Sequence, residues 1–153
     1  MAANPSMKNA LAWAGRLVLG GTFGYAAILK LADPAAFATD IGHYRLLPYP
    51  LKLAVGVYLP WLELICAAAV LFRWRERGAL VLLLGLCALF TITLASAWWR
   101  GLDITCGCFG HDDIATSLPV ALTRSATLGL IAFLLLKRTR QTEAYASSQQ
   151  TTP

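Results

Sequence analysis

The sequence contains little charge for its length. Of its 153 residues, 14% are charged and 58% are hydrophobic, whereas a soluble domain is usually about a quarter charged and about half apolar. This excess of apolar residues predicts that part of the chain is buried in a lipid bilayer. The formal charge of +5 comes from short basic clusters beside apolar runs, and there is no basic stripe with interleaved aromatic residues. That distribution is typical of membrane topology signals and argues against nucleic-acid binding.

Four apolar runs are long enough to cross a bilayer, which takes about 20 residues of helix. Each is bounded by a chain breaker or a charge, and none alternates polar and apolar residues as barrel strands do. We therefore predict an all-α fold, an integral membrane four-helix bundle forming a single domain over 1–140, with a disordered polar tail over 141–153. The predicted spans are about 11–31, 51–72, 78–99 and 118–136.

The first span is expected to be retained, because no small-residue cleavage site follows it. Gly20 and Gly24 give it a Gly-xxx-Gly face that allows a second helix to approach closely. After this span, Phe37, Ile41 and Tyr44 fall at helical spacing. They predict a short amphipathic helix on the outer surface, either as a lid over a pocket or as a plain connection.

Basic residues are unevenly divided between the two sides of the predicted bundle. One side carries Lys8 and the basic clusters at 73–77 and 137–140, whereas the other carries five aspartates and few basic residues beyond the span edges. By the positive-inside rule, both termini are predicted to face the cytoplasm. The loop 100–117 is then predicted to face the periplasm or exterior.

Only four cysteines are present, and two of them, Cys106 and Cys108, lie one residue apart in this outer loop. Gly107 between them permits a strained disulfide, and strained, exposed disulfides are oxidising and prone to exchange. An extracytoplasmic position supports such chemistry, because that compartment is oxidising. Two other interpretations stay open. The pair could hold a soft metal together with His111, or it could act only as a static staple of the loop.

The other two cysteines, Cys66 and Cys87, lie within the second and third spans at similar depth. Although they could approach each other, we interpret them as small packing residues, because buried cysteines are ordinarily inert.

Charged residues inside the spans are expected to face the bundle interior, because charge in lipid is costly. Glu63 lies near the middle of the second span, Arg124 lies about one and a half turns into the fourth, and Lys30 ends the first on its outer side. These residues predict a polar pocket opening toward the outer loop, an interhelical ion pair, or both. Arg16, near the other end of the first span, is expected to extend to the inner interface.

Two motifs stand in order, one span apart: Leu59-Pro-Trp-Leu-Glu63 and Cys106-Gly-Cys-Phe-Gly110. Together with further elements, they make the chain similar to the MauE/DoxX-type family of redox-associated membrane proteins over about residues 10–138. The family takes its name from a methylamine-utilisation protein. The further elements are Arg16, Lys30-Leu-Ala-Asp-Pro34, Tyr44-Arg-Leu-Leu-Pro48, Arg100-Gly101 and Arg124.

This resemblance implies a four-helix protein of the bacterial inner membrane that takes part in redox maturation of exported proteins. It implies a thioredoxin-like partner or a folding client outside the cytoplasm. It also implies a link to quinone, although no tightly bound cofactor is expected. The candidate residues for binding a quinone are Glu63, Arg124, Lys30 and Tyr44.

The leading hypothesis is a membrane thiol–disulfide oxidoreductase, or its accessory subunit, that acts through Cys106 and Cys108. With a single outer cysteine pair, a complete relay through two pairs is not expected. Two alternatives stay open. One is a transporter or soft-metal-handling protein that uses the dicysteine, His111 and the intramembrane charges. The other is a non-catalytic assembly factor.

Overall fold

The computed structural model of the chain describes residues 5–44, 48–101 and 118–150. Within these ranges every regular element is an α-helix, which confirms the predicted all-α class. The loop with Cys106, Cys108 and His111 lies outside the described residues. The helices are α1 (Pro5–Ala32), α2 (Pro34–His43), α3 (Tyr49–Leu71), α4 (Glu76–Trp99) and α5 (Leu118–Gln150).

Three helical segments are long and apolar enough to cross a membrane: Tyr49–Leu71, Glu76–Trp99 and Pro119–Gln141. They coincide with the second, third and fourth predicted spans, and large apolar side chains on their outward faces are exposed, as lipid contact requires. The helix α1 has 28 residues, a sufficient length, but it is less apolar than these three. A fourth span and the orientation of the termini therefore stay predictions.

The buried apolar core occupies the half of the bundle that contains the turn between α3 and α4. Leu19 of α1, Val70 of α3 and Leu80 of α4 are fully buried there. A smaller cluster around Leu94 and Ala121 lies at the other end, where α4 finishes and α5 begins. Between the two clusters the interior is lined partly by charged side chains, and this is where the candidate site lies.

Gly20 allows α1 and α3 to approach each other closely. A Cβ atom at Gly20 would lie 2.6 Å from Leu71 Cγ and 3.2 Å from the carbonyl oxygen of Ala67. One turn further along, a Cβ at Gly24 would make an ordinary contact of 3.8 Å with Ala67 Cβ. The predicted close helix contact is therefore found, and Gly20 is the residue on which it depends.

The substitution Gly20→Ala is expected to lower the free energy of unfolding by about 1–3 kcal/mol, because the added methyl group overpacks the α1–α3 contact. Gly21→Ala is the matched control, since a Cβ there meets no atom within 4 Å. The free energy of unfolding of both variants is measured by titrating SDS into mixed micelles. Equal stability of the two variants would contradict the close contact.

The helix α2 begins with local capping and then packs on α3. The Asp33 carboxylate accepts a hydrogen bond of 2.9 Å from the Ala36 N–H, and Pro34 occupies the first helical turn, where its missing N–H costs nothing. A Cβ at Gly56 of α3 would lie 3.0 Å from Ala38 Cβ, so the two backbones are close. The short helix predicted from the spacing of Phe37 and its neighbours is confirmed.

The helix α5 continues past its apolar part to Gln150. The backbone of residues 141–150 is thus helical, where the polar composition had predicted a disordered tail. This segment contains no proline or glycine, and its alanine, glutamine and glutamate residues favour a helix. The apolar segment therefore ends at Gln141, whereas the helix continues to Gln150.

Candidate functional site

A cavity of about 80 Å³ lies inside the bundle and is lined by α1, α3, α4 and α5. It belongs to the half that carries the α4–α5 connection, because Arg124 lies within the first two turns of α5. Apolar side chains such as Phe23 and Phe90 form most of the wall. Three ionisable side chains, those of Lys30, Glu63 and Arg124, also line it.

Lys30 and Glu63 form a buried ion pair on this cavity. The Lys30 ammonium donates hydrogen bonds of 2.9 and 2.7 Å to the two carboxylate oxygens of Glu63. The two side chains are only 4% and 5% exposed. The Lys30 Nζ also lies 5.0 Å from the centre of the Phe37 ring, so α2 covers one side of the pair. Such a pair is tolerated in a low-dielectric interior because each charge has its partner.

Arg124 adds a second cation to the same lining. Two cationic side chains and one carboxylate therefore line the cavity. Next to Arg124, the Ser125 hydroxyl lies 2.9 Å from Thr91 Oγ1 and donates to the Cys87 carbonyl at 3.2 Å. The arrangement presents N–H donors to a mostly apolar space, which suits a ligand with oxygen acceptors.

Three of the four residues predicted from the sequence to bind a cofactor meet in this cavity. The ion pair predicted for Glu63 is made with Lys30, and Arg124 lines the cavity beside it. The fourth residue, Tyr44, packs against the cluster of Leu94 and Ala121, and Ala121 is itself part of the cavity wall.

Tyr44 is held at the end of the bundle where α4 finishes. The Arg100 guanidinium donates a hydrogen bond of 3.2 Å to its carbonyl oxygen. Burial, together with the nearby Asp40 carboxylate, raises the pKa of the Tyr44 phenol to about 12. The side chain is therefore a neutral phenol at any physiological pH.

A second buried ion pair, between Arg16 and Glu76, was not anticipated from the sequence. Arg16 donates from Nε at 2.7 Å and from Nη2 at 3.3 Å to the two oxygens of Glu76, and both side chains are 9% exposed. Arg16 is therefore buried, because the Glu76 carboxylate at the start of α4 holds its guanidinium; that it extends to the inner interface stays a prediction. The available signal was Glu76 itself, the lone acid in the basic cluster 73–77.

Cys66 and Cys87 are buried free thiols. Cys66 belongs to the apolar core and Cys87 lines the cavity, and no disulfide joins them. In the described ranges, no group of three histidine, cysteine or acidic residues is placed to hold a metal. The soft-metal alternative therefore rests on Cys106, Cys108 and His111, outside those ranges.

Comparison with known proteins finds a family whose sequence profile matches this chain. The sequence profile described as "Methylamine utilisation protein MauE" matches residues 8–138, a range that includes Lys30, Glu63, Arg124 and the dicysteine. The MauE protein of Methylophilus methylotrophus is 38% identical over 84 residues, which cover 54% of this chain and 44% of the relative. That of Paracoccus versutus is 34% identical over 98 residues, which cover 63% of this chain and 53% of the relative.

The chain thus spans about half the length of the curated relatives it matches. No solved structure matches it. Because the profile match extends over most of the chain and includes both the cavity residues and the dicysteine, the protein belongs to the MauE family.

Proposed function

We propose that this protein takes part in thiol–disulfide exchange during the maturation of exported proteins, as a membrane oxidoreductase or its accessory subunit. The observation that carries the proposal is the cavity lined by Arg124 and by the buried Lys30–Glu63 pair, in the half of the bundle where α4 and α5 connect. The connection itself contains Cys106 and Cys108. In this proposal the loop faces the periplasm or exterior of the bacterial inner membrane.

The exchange follows ordinary disulfide chemistry. A client thiolate attacks one sulfur of the Cys106–Cys108 disulfide, which forms a mixed disulfide and releases the other sulfur as a thiolate. A second client thiolate then attacks the mixed disulfide. The client gains a disulfide, the dicysteine is left as two thiols, and two electrons and two protons have passed from the client to this protein. A thioredoxin-like protein can take the place of the client in the same two steps.

The cavity residues fit the needs of a quinone headgroup. A quinone carbonyl oxygen is a hydrogen-bond acceptor, and the ammonium of Lys30 and the guanidinium of Arg124 are donors on a mostly apolar lining. When bound, a quinone supplies an acceptor for the two electrons and two protons released as the disulfide of the dicysteine re-forms. Donors held in place beside an oxygen favour negative charge on it.

The double substitution Cys106→Ser/Cys108→Ser tests the proposal. We expect it to abolish client oxidation, because no sulfur remains in the loop to form the mixed disulfide. The matched control is Cys66→Ser, which removes a thiol from within the bundle and leaves both the loop and the cavity lining intact. Alkylation of free thiols in exported proteins, followed by mass spectrometry, measures the oxidised fraction.

Growth on methylamine is a second readout, since both relatives are named for methylamine utilisation. We propose that the client belongs to that process. Full client oxidation in the Cys106→Ser/Cys108→Ser variant would overturn the exchange role and leave the assembly-factor alternative.

A further inference from the structure

A groove of about 320 Å³ lies on the outside of the bundle, where α4 and α5 pack together. It is placed near the middle of both apolar spans, so in a bilayer it faces the hydrocarbon region. Three small residues of α5, Ser125, Ala126 and Gly129, leave the space that forms it. The residues that line it from α4 are Leu84, Cys87, Ala88, Thr91 and Ile92.

A thin wall separates this groove from the cavity around Lys30 and Glu63. Cys87 and Ser125 line both spaces. The hydroxyls of Thr91 and Ser125 lie 2.9 Å apart, and they donate to the Cys87 carbonyl oxygen at 2.7 and 3.2 Å. The wall therefore consists of short side chains whose polar groups are hydrogen-bonded within the protein.

The cavity by itself is small for a ring. Its volume is about 80 Å³, whereas an apolar cavity of about 150 Å³ accepts benzene in another protein. A ligand with a ring must therefore displace part of the wall, and the remainder of a lipid-soluble ligand must lie outside the cavity. The wall at Cys87 and Ser125 is the part that leads directly to the groove.

The lining of the groove matches a hydrocarbon chain. Ile92 is 66% exposed at its edge, and the methyl groups of the exposed residues Ala88 and Ala126 form part of its surface. The two hydroxyls in the wall already have the Cys87 carbonyl as acceptor. A polar ligand would gain little from such a surface, whereas an apolar chain gains close packing against it.

The small residues of α5 already serve packing inside the bundle. A Cβ at Gly129 would lie 3.4 Å from Cys87 Cβ, so this glycine allows α5 to approach α4. Small residues also allow helices of two different chains to pack together in membranes. Because Gly129 is used between α4 and α5, and because the groove adjoins the cavity, a chain connected to a ligand in the cavity is the better occupant.

We propose that this groove binds the hydrocarbon chain of a membrane quinone whose ring enters the cavity between Cys87 and Ser125. The inference rests on the proposed function, because it takes the ring site beside Lys30 and Arg124 as given. It defines the ligand class as a quinone with an apolar chain, which reaches the cavity from the bilayer through the contact between α4 and α5.

Photoaffinity labelling of the full-length protein in lipid nanodiscs tests the proposal. The probe is a decylubiquinone analogue that carries a diazirine in its chain, and the labelled residues are located by mass spectrometry. We expect labels on the groove residues of α4 and α5, and we expect unmodified decylubiquinone to compete this labelling away.

Two variants fill the groove and leave the cavity lining unchanged. Ala88→Phe and Ala126→Phe each place a ring where the chain is proposed to lie, at exposed positions that line the groove alone. We expect each to raise the decylubiquinone concentration needed for competition about tenfold, because overpacking is unfavourable by enough to produce such a change.

The matched control is Ala95→Phe. Ala95 is an exposed alanine about two turns further along α4, and it lines neither the groove nor the cavity. It is expected to leave the competing concentration within about twofold, as surface substitutions usually do.

Failure of this inference and failure of the proposed quinone site give different results. If competable labels fall on another face, or if Ala88→Phe and Ala126→Phe behave like Ala95→Phe, the groove does not hold the chain, although a quinone binds. If decylubiquinone competes no label away, the quinone site is wrong as well. The exchange role of the dicysteine is tested separately by Cys106→Ser/Cys108→Ser.

Two other occupants would also overturn the proposal. A phospholipid with a diazirine in its acyl chain would label the groove, without displacement by decylubiquinone, if an ordinary lipid fills it. Native mass spectrometry would show a loss of dimer in Ala88→Phe and Ala126→Phe if a second copy of this chain covers it. Labelling of the groove that decylubiquinone displaces, and that the two groove variants weaken, supports the chain site.

Discussion

Replacing Lys30 by Met is expected to destabilise the bundle by about 3–5 kcal/mol, the usual result of removing one partner from a buried ion pair. The Glu63 carboxylate accepts two hydrogen bonds from Lys30 and is 5% exposed, so without them it remains as an uncompensated charge inside the bundle. Equilibrium unfolding by SDS in mixed micelles, followed by far-UV circular dichroism, measures the loss.

The double variant Lys30→Met/Glu63→Leu separates stability from function. An apolar pair of similar volume removes both buried charges, and such replacements are neutral or stabilising in other proteins. We expect the double variant to recover most of the stability that Lys30→Met loses. We also expect client oxidation to stay impaired, because the cavity loses the Lys30 donor that the proposed function uses. Normal client oxidation in the stable double variant would show that the Lys30–Glu63 pair only stabilises the bundle.

The second large effect is expected at the other buried pair. Glu76→Gln should destabilise by about 3–5 kcal/mol, and by more than Arg16→Gln does. Without the Glu76 carboxylate, Arg16 and Arg73 lose the anion that both of them lie against. Without the Arg16 charge, Arg73 still lies 3.8 Å from Glu76 and compensates part of its charge.

Unfolding measured for both single variants under the same conditions tests this asymmetry. If Arg16→Gln lowers the free energy of unfolding as much as Glu76→Gln does, Arg73 does not compensate part of the Glu76 charge. A further substitution, Arg73→Gln in the Glu76→Gln background, should restore part of the stability by relieving the repulsion between cations.

The helices themselves followed from patterns that are local in the sequence. Apolar runs bounded by charges gave α3, α4 and the apolar part of α5, and the spacing of Phe37 and Ile41 predicted α2. Gly20 predicted a close helix contact correctly, because a residue without Cβ is a local signal of close approach. The depth of each charged residue in the membrane could also be predicted from its position along the apolar run. For this reason Lys30, Glu63 and Arg124 were expected near one another.

Partner choice between helices did not follow from the sequence. Lys30 and Glu63 are 33 residues apart in the chain, and Arg16 and Glu76 are 60 apart. Depth alone allowed Glu63 to pair with either Lys30 or Arg124, because the rotation of each helix about its axis sets which charge faces which. That rotation depends on packing of α1 against α3 and of α4 against α5, to which the whole sequence contributes.

The C-terminal end of α5 shows that polar composition alone does not predict where a helix ends. Residues 141–150 lose the apolar character of a span but keep good helix formers, so the helix continues while the apolar segment ends. Disorder was predicted there from the polar composition. A polar composition indicates that a segment is not buried, but it does not decide whether the backbone is helical.

In-cell thiol trapping tests the exchange role of the dicysteine most directly. Cells that produce the protein are quenched in acid, the free thiols are alkylated, and the oxidised fraction of Cys106 and Cys108 is measured by mass spectrometry. An exchange centre is expected to show both the disulfide and the dithiol, with the dithiol increasing when client production is raised. A pair that stays fully oxidised under every condition would contradict thiol–disulfide exchange and identify the dicysteine as a static staple.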